Sequence, residues 1–263
     1  MGSAKKLRDL VLAKYPRCIY CNGLSNTIEH MPPRSMFRGK QRPKGLEFGC
    51  CETCNMRTRN ADLAASFVSR VTITPSGTNE FNEVKGLYAL IKGRIPELYS
   101  QFSRSQTKII KAAIPGPYVG FTELVEINLG TPVISRHLTA FAAKLGMALY
   151  AEHTGEALPE GGAVTSYWMS TYGVNRERII ETLEMLPMYE TLKQGKNVAN
   201  DQFQYRFNTD EKTIVAALSD FHNSLYILTI ASAVPEYHNV PKGHPTQAKT
   251  PLGGIAHSLG HTA

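Results

Sequence analysis

The sequence has no hydrophobic run long enough to cross a lipid bilayer. A membrane-spanning helix needs about 20 consecutive apolar residues, whereas the longest apolar run here, Leu225 to Val234, is shorter and contains Thr229 and Ser232. The first residues, Met-Gly-Ser-Ala-Lys-Lys, also lack the apolar core of a signal peptide. We therefore expect a cytoplasmic protein with no membrane partner.

Cysteine is missing from the whole chain after residue 54. The five cysteines are Cys18, Cys21, Cys50, Cys51 and Cys54. A secreted protein stabilised by disulfides would carry an even number of cysteines spread across the fold. In an intracellular chain, a cluster of this kind favours a metal site instead.

The first 71 residues are short of acidic side chains. They contain 13 Lys and Arg but only 5 Asp and Glu, a net charge of +8, whereas the other 192 residues contain 16 and 17, a net charge of −1. A surplus confined to one module predicts a polyanionic partner there, and nucleic acid is the default polyanion. A basic face that only aids solubility is an equally good alternative on charge alone.

Hydrophobic patterning predicts an α+β protein in two parts. Apolar residues recur at helical spacing, interrupted once by Pro96, over 4–15, 51–71, 82–102, 134–152 and 176–186. Alternation predicts strands over 202–207, 213–218 and 224–230. We expect a small zinc-stapled module over 1–71, a larger mixed α+β domain over 72–234, and a flexible tail over 235–263, which is rich in Pro, Gly and His.

Two Cys-x2-Cys knuckles predict a structural zinc site. Cys18 and Cys21 form the first knuckle and Cys51 and Cys54 the second. Each knuckle directs two thiolates at one ion, and two knuckles complete the tetrahedral coordination that Zn²⁺ prefers. Cys50 in place of Cys51 would give a Cys-x3-Cys spacing, so we interpret Cys50 as a bystander thiol.

Around these knuckles the sequence resembles one family of nucleases. The order Cys18-Ile-Tyr-Cys21, Ile-Glu29-His30-Met-Pro-Pro and Cys51-Glu-Thr-Cys54-Asn55 resembles HNH (ββα-metal) endonucleases. It is most similar to the endonuclease VII-like and bacterial subset, in which Asn directly follows the second knuckle. The resemblance covers about a fifth of the chain.

The resemblance implies a ββα-metal fold in which a β-hairpin carries Glu29 and His30 and a helix opens with Asn55. His30 would be the general base, because a histidine with an ordinary pKa near 6.5 can accept a proton from water at neutral pH. Glu29 and Asn55 would bind a catalytic Mg²⁺ or Mn²⁺ through hard oxygen atoms. The zinc would hold the helix against the hairpin.

Two features depart from the family pattern. The acidic residue before the histidine is usually Asp, and Glu29 is longer by one methylene. The central Asn of the family name is missing, because Leu46-Glu47-Phe48-Gly49 precedes the second knuckle. Arg59, one helical turn beyond Asn55, is a cation and adds no further ligand, so we expect a metal site with few protein ligands.

Basic residues flank the predicted site on both sides. Such side chains contact the phosphate backbone, which positions a nucleic acid without reading its sequence. The predicted nucleic-acid-binding residues are Arg34, Arg38, Lys40, Arg42, Arg57 and Arg59. We expect DNA as the partner, with RNA as an alternative, and homo-oligomerisation is left open.

Three functions fit these patterns. The first is a metal-dependent endonuclease that hydrolyses phosphodiester bonds in DNA. The second is a non-catalytic zinc module that binds nucleic acid, although such a module has no need of Glu29, His30 and Asn55. The third is an antiphage or toxin-like nuclease effector that is regulated by its C-terminal domain, which is compatible with the first. The P-loop, Gly-x-Ser-x-Gly and His-Glu-x-x-His patterns of other enzymes are absent.

Overall fold

The chain folds as a mixed α+β protein, which confirms the fold class predicted from the patterning. The computed structural model describes residues 3–71, 78–102, 108–114, 120–170, 176–234, 236 and 247–251. Among these residues, no helix combines the length and the apolar character that crossing a membrane requires.

The N-terminal part contains two helices and a two-stranded hairpin. Its elements are α1 (Ser3–Lys14), β1 (Thr27–His30), β2 (Glu47–Cys50) and α2 (Glu52–Arg70), with two short 3-10 turns at Arg34–Met36 and Arg38–Lys40. The predicted helices over 4–15 and 51–71 are confirmed. β1 and β2 pair antiparallel, with Glu29 opposite Phe48 and His30 opposite Glu47.

Gly49 lets α1 approach the hairpin closely. A Cβ atom at this position would lie 2.1 Å from the carbonyl oxygen of Tyr15, just after α1. The Tyr15 ring packs against Phe48 with 5.5 Å between the ring centroids. The absence of a side chain at Gly49 therefore allows the end of α1 to lie flat on β2.

Two further helices follow the hairpin module, and a long helix forms the centre of the protein. They are α3 (Asn79–Arg94), α4 (Pro96–Gln101) and, after the hairpin of β3 (Lys108–Ile114) and β4 (Gly120–Glu126), the long helix α5 (Pro132–Thr154). Pro96 starts a new helix because its ring fits the first helical position and disrupts an interior one. The predicted interruption at Pro96 and the predicted helix over 134–152 are both confirmed.

A six-stranded antiparallel sheet forms the C-terminal layer, in the order β12-β5-β11-β10-β9-β6. Its strands are β5 (Ala163–Ser170), β6 (Met188–Thr191), β9 (Phe203–Thr209), β10 (Ile214–Phe221), β11 (Leu225–Ser232) and β12 (Gln247–Pro251). Before β6 lies α6 (Arg176–Glu184), and between β6 and β9 lies the small hairpin of β7 (Lys193–Gln194) and β8 (Asn197–Val198). The three predicted strands correspond to β9, β10 and β11.

Seven strands, β3 to β8 and β12, were not predicted, and two of them bear directly on the expectations. β5 was not predicted, because its burial is nearly continuous and its sequence does not alternate. β12 lies in the segment for which a flexible tail was predicted, and it pairs with β5. The rest of that segment, apart from 236, lies outside the described residues.

Helix α5 lies between the sheet and the N-terminal module. A Cβ atom at Gly146 would lie 2.6 Å from Val164 Cγ1, so the helix approaches β5 closely at this point. Phe141 of the same helix packs edge-on against Phe221 of the sheet. Buried residues of α2, α5 and the sheet belong to one continuous hydrophobic core. The N-terminal module therefore shares its core with the rest of the chain.

Candidate metal centre and active site

The four cysteines of the two knuckles meet at one point. The sulfur atoms of Cys18, Cys21, Cys51 and Cys54 all lie within 4.8 Å of one another, and those of Cys21 and Cys51 are 3.7 Å apart. Ligands at a Zn–S distance of about 2.3 Å in a tetrahedron are separated by about 3.8 Å. The cluster therefore has the dimensions to hold a metal ion such as zinc.

Local structure positions both knuckles. In the first, the Cys18 N–H donates to the Gly23 carbonyl at 2.7 Å and the Asn22 N–H donates to the Cys18 carbonyl at 2.9 Å, which closes a tight turn. In the second, Cys51 caps α2, because its sulfur accepts the Cys54 N–H at 3.3 Å. The helix thus begins at the cysteine cluster.

Cys50 lies beside the cluster without belonging to the four-sulfur group. Its sulfur is 3.9 Å from that of Cys18 and 3.3 Å from the Cys51 carbonyl, to which it donates. Contact with Cys50 lowers the pKa of Cys18 well below its ordinary value, and contact with Cys18 raises the pKa of Cys54. A divalent cation would allow all four ligands to lose their protons.

His30 ends β1 and is half-buried beside Glu47. Its Nδ1 lies 3.9 Å from Glu47 Oε1, and the side chain is 27% exposed. Since Nδ1 itself is buried, that exposed area belongs to the rest of the side chain. Burial, followed by the charges of Arg42 and Arg34, lowers the pKa of His30 to about 4. His30 is therefore neutral at pH 7, as a general base requires.

Glu29 points into the interior, toward α5. Its residue is 4% exposed, and its Oε2 lies 3.4 Å from the ammonium nitrogen of Lys144. The same nitrogen donates to both carboxylate oxygens of Asp62 on α2, at 2.8 and 2.9 Å. Burial raises the pKa of Glu29 to about 7, against the opposing effect of Lys144.

Asn55 lies in the first turn of α2, against the hairpin. Its Nδ2 donates to Thr27 Oγ1 at 3.4 Å, which leaves its carbonyl oxygen as the atom that can serve as a ligand. Thr27 and Glu29 are two positions apart on β1 and so share a face of the strand. Asn55 therefore lies on the Glu29 face of β1, whereas His30, the next residue, points to the opposite face and lies beside Glu47, so the structure does not bring His30 together with the other two.

Arg42 is enclosed by the loop between β1 and β2. Its side chain is 2% exposed, and its guanidinium donates to five backbone carbonyls and to Glu47, which also accepts the Gly45 N–H. Every N–H of the guanidinium is used within the loop. Arg42 therefore has no donor left for a phosphate, and we leave it out of the nucleic-acid surface proposed below.

The other five predicted nucleic-acid contacts are exposed. Arg38 forms ion pairs with Glu80 at 3.1 Å and Asp201 at 2.6 Å. The remaining four are Arg34, Lys40, Arg57 and Arg59. Within the part of the chain that the structure describes, no acidic group lies within 4.0 Å of their side-chain nitrogens.

Comparisons of the chain with protein-family models, with curated proteins and with solved structures found no match. The interpretation of the site rests on its own residues and geometry.

The structure adds two residues to the site that the sequence analysis did not single out. Asp62 follows Asn55 by seven positions, two helical turns, so both lie on one face of α2. The seven-residue spacing could have indicated, from the sequence alone, that Asp62 lies on the same helix face as Asn55. Lys144 comes from a predicted apolar helix 82 positions from Asp62, and no local pattern indicates that it is buried against Glu29.

Proposed function

We propose that the protein is a metal-dependent endonuclease of the HNH type that hydrolyses phosphodiester bonds in DNA. The observation that carries the proposal is the combination of a four-cysteine cluster with an antiparallel hairpin and a following helix. That combination holds Glu29 and His30 at the end of β1 and Asn55 in the first turn of α2. A module that only bound nucleic acid would not require these three side chains.

Hydrolysis requires a water molecule that loses a proton as its oxygen attacks the phosphorus, while the bond to the leaving sugar oxygen breaks. His30 is the candidate acceptor of that proton, because the imidazole is unprotonated at pH 7, although its pKa of about 4 makes it a weaker base than an ordinary histidine. Glu47 Oε1 lies 3.9 Å from Nδ1 and is itself paired with Arg42 at 3.2 Å. The leaving oxygen takes up a proton in turn.

Glu29 and Asn55 are the residues that would hold the catalytic divalent ion. Their oxygens are the hard ligands that Mg²⁺ and Mn²⁺ prefer. Such an ion, when bound, offsets negative charge on the phosphate and the leaving oxygen. Lys144 lies 3.4 Å from Glu29 in this arrangement, a point developed below.

The exposed cations beside the hairpin support DNA as the substrate. Arg34 and Lys40 follow β1, and Arg57 and Arg59 lie on α2 just beyond Asn55. Charges spread in this way contact phosphates without selecting a base sequence. RNA remains the alternative substrate, because no described contact distinguishes the two sugars.

The test is the incubation of full-length protein with supercoiled plasmid in Mg²⁺ or Mn²⁺, with and without EDTA. We expect nicking or linearisation that EDTA abolishes. His30→Ala should reduce the rate by about 10²–10⁴-fold while zinc content and DNA affinity stay unchanged. His153→Ala is the matched control, because burial also lowers the pKa of His153 to about 4, yet it lies on α5 beside Tyr205.

A second pair of variants separates ligand loss from helix damage. Asn55→Ala should lower activity, with partial recovery at raised Mn²⁺. Asn60→Ala, on the same helix, removes only a 3.4 Å hydrogen bond to the Arg94 carbonyl and should retain activity. Undiminished cleavage by His30→Ala would refute the mechanism.

The rival function is a zinc module that binds nucleic acid without cleaving it. The ion pair between Glu29 and Lys144 favours this rival, because a carboxylate that an ammonium already neutralises is not available as a ligand for a catalytic cation. Wild-type protein that binds plasmid but leaves it intact, in several divalent ions and with several substrate forms, would establish the rival. Cleavage that depends on His30 would exclude it.

A further inference from the structure

A buried group of opposite charges joins the hairpin module to α5. Lys144 is fully buried, and its ammonium lies between a carboxylate of β1 and a carboxylate of α2. The distances to Asp62 are 2.8 and 2.9 Å, and the distance to Glu29 is 3.4 Å. Two carboxylates from different elements therefore converge on one cation.

The pairing of charges in this group is incomplete. Two carboxylates face one ammonium, so the group retains one formal negative charge if both acids are ionised. The hydroxyl of Tyr20 is buried and has no hydrogen-bond partner; Tyr20 is 3% exposed, and Lys144 Nζ lies 5.6 Å from its ring centroid. Glu29 Oε2 is also buried, and the 3.4 Å ion pair with Lys144 is its contact in this group. Buried polar atoms are normally satisfied, so the Tyr20 hydroxyl is an oxygen beside the two carboxylates that the ammonium leaves unsatisfied.

We infer that Glu29 and Asp62 form a divalent-cation site, and that in this arrangement the ammonium of Lys144 occupies the place of the divalent ion. The inference rests on the proposed role of Glu29 as a ligand. It adds Asp62 as the second carboxylate and makes Lys144 the internal competitor of Mg²⁺ or Mn²⁺.

The chemistry of the donors supports competition between the two cations. Two carboxylates and a nearby phenol oxygen are the hard oxygen donors that Mg²⁺ and Mn²⁺ prefer, and a divalent ion would neutralise both carboxylates where an ammonium neutralises one. Both cations cannot occupy the space between Glu29 and Asp62. Because Lys144 belongs to α5, binding of the divalent ion requires the ammonium to withdraw from the hairpin module.

The competition links metal binding to the contact between α5 and the module. The protein has two arrangements, one with Lys144 paired to the carboxylates and one with Lys144 withdrawn. A ligand shifts the equilibrium between them only as far as its affinities for the two differ. A divalent ion between the carboxylates favours the arrangement in which the Lys144 ammonium has withdrawn.

The test is a titration of full-length, zinc-loaded protein with Mn²⁺, in which free Mn²⁺ is measured by electron paramagnetic resonance. Lys144→Met removes the competing charge and keeps a long side chain, so it should bind one Mn²⁺ per chain at least about tenfold more tightly than wild type. Lys144→Arg is the matched control, because it keeps a cation in place and should show no gain. The Lys144→Met/Asp62→Asn double variant should lose the gain.

A thermal melt covers the case in which Lys144→Met is poorly folded. Two buried carboxylates without a counter-charge destabilise the fold, so added Mn²⁺ should raise the melting temperature of Lys144→Met well above its effect on wild type. Protein that gains no Mn²⁺ affinity, or that stays unfolded in millimolar Mn²⁺, would overturn the inference. A gain that survives Asp62→Asn would do so as well.

Neither readout involves DNA, so the inference and the proposed function can fail separately. Tight Mn²⁺ binding by Lys144→Met together with intact plasmid would retain the cation site and reject the nuclease. Plasmid cleavage by wild type, with no Mn²⁺ gain in Lys144→Met, would retain the nuclease and reject competition by Lys144.

Discussion

Replacing Arg42 with methionine removes the charge that holds the loop between β1 and β2, while preserving most of the aliphatic stem. In the structure the guanidinium donates at 2.7 Å to the Pro32 carbonyl, at 2.6 Å to the Gly45 carbonyl and at 3.2 Å to Glu47. Three more carbonyls accept from it at 2.9 to 3.3 Å. The variant removes the guanidinium from all six acceptors, although the Leu46 carbonyl keeps the Met31 N–H and Glu47 keeps the Gly45 N–H.

The loss of stability expected for Arg42→Met depends on the burial of the charge and is not a sum over its hydrogen bonds. A hydrogen bond to a charged group contributes about 1.5–3 kcal/mol, and five such N–H groups would together approach or exceed the whole stability of a typical domain. Contacts of one side chain are not additive, and an opened loop would let water reach the carbonyls. Removal of one partner of a buried charged pair costs about 3–5 kcal/mol, which is the destabilisation we expect for Arg42→Met.

Urea unfolding followed by circular dichroism measures this loss. With a slope of about 2–3 kcal/mol per molar urea, the midpoint should fall by about 1–2.5 M. Arg34→Met is the matched control, because Arg34 is exposed in the same loop, and its midpoint should move by less than about 0.3 M. If Arg42→Met unfolds with the wild-type midpoint and instead weakens DNA binding, Arg42 is a phosphate contact and the structural role is wrong.

Three further predictions concern the metal centre, the base and the charged surface. Cys51→Ser should lose zinc and unfold the hairpin module, whereas Cys50→Ser should retain one zinc per chain by elemental analysis; equal loss in both would contradict the assignment of ligands. Because the pKa of His30 is lowered to about 4, its ring-proton resonances should shift with a midpoint near pH 4 in an NMR titration, whereas a midpoint near 6.5 would mean that the base is not held as described. His30 should also contribute stability above about pH 6.5 that is lost as the pH falls toward 4, since its folded pKa lies below the unfolded value, and His30→Gln should remove that component. Arg57→Ala and Arg59→Ala should each lower the slope of log affinity against log salt by about 1 without changing stability; unaltered slopes would place DNA elsewhere.

The sequence alone determined the elements whose signals are local. Cysteine spacing predicted the four-sulfur cluster, because a knuckle is a short turn whose geometry depends on a few neighbouring residues. Helical periodicity predicted α1, α2 and α5, and alternation predicted three of the six sheet strands. Each of these patterns is complete within a few turns of the chain, so no distant partner is needed to recognise it.

The tertiary structure decided how the charged residues are used. From the sequence, Arg42 and Arg34 are equivalent basic residues of one loop, yet the fold buries Arg42 among backbone carbonyls and leaves Arg34 exposed. Glu29 and Asp62 are separated by 33 positions, and both meet Lys144 only because α5 packs against the hairpin module. The energetics of an ionic group depend on burial and on nearby opposite charge. Both properties are set by contacts between residues far apart in the chain, which a local pattern does not encode.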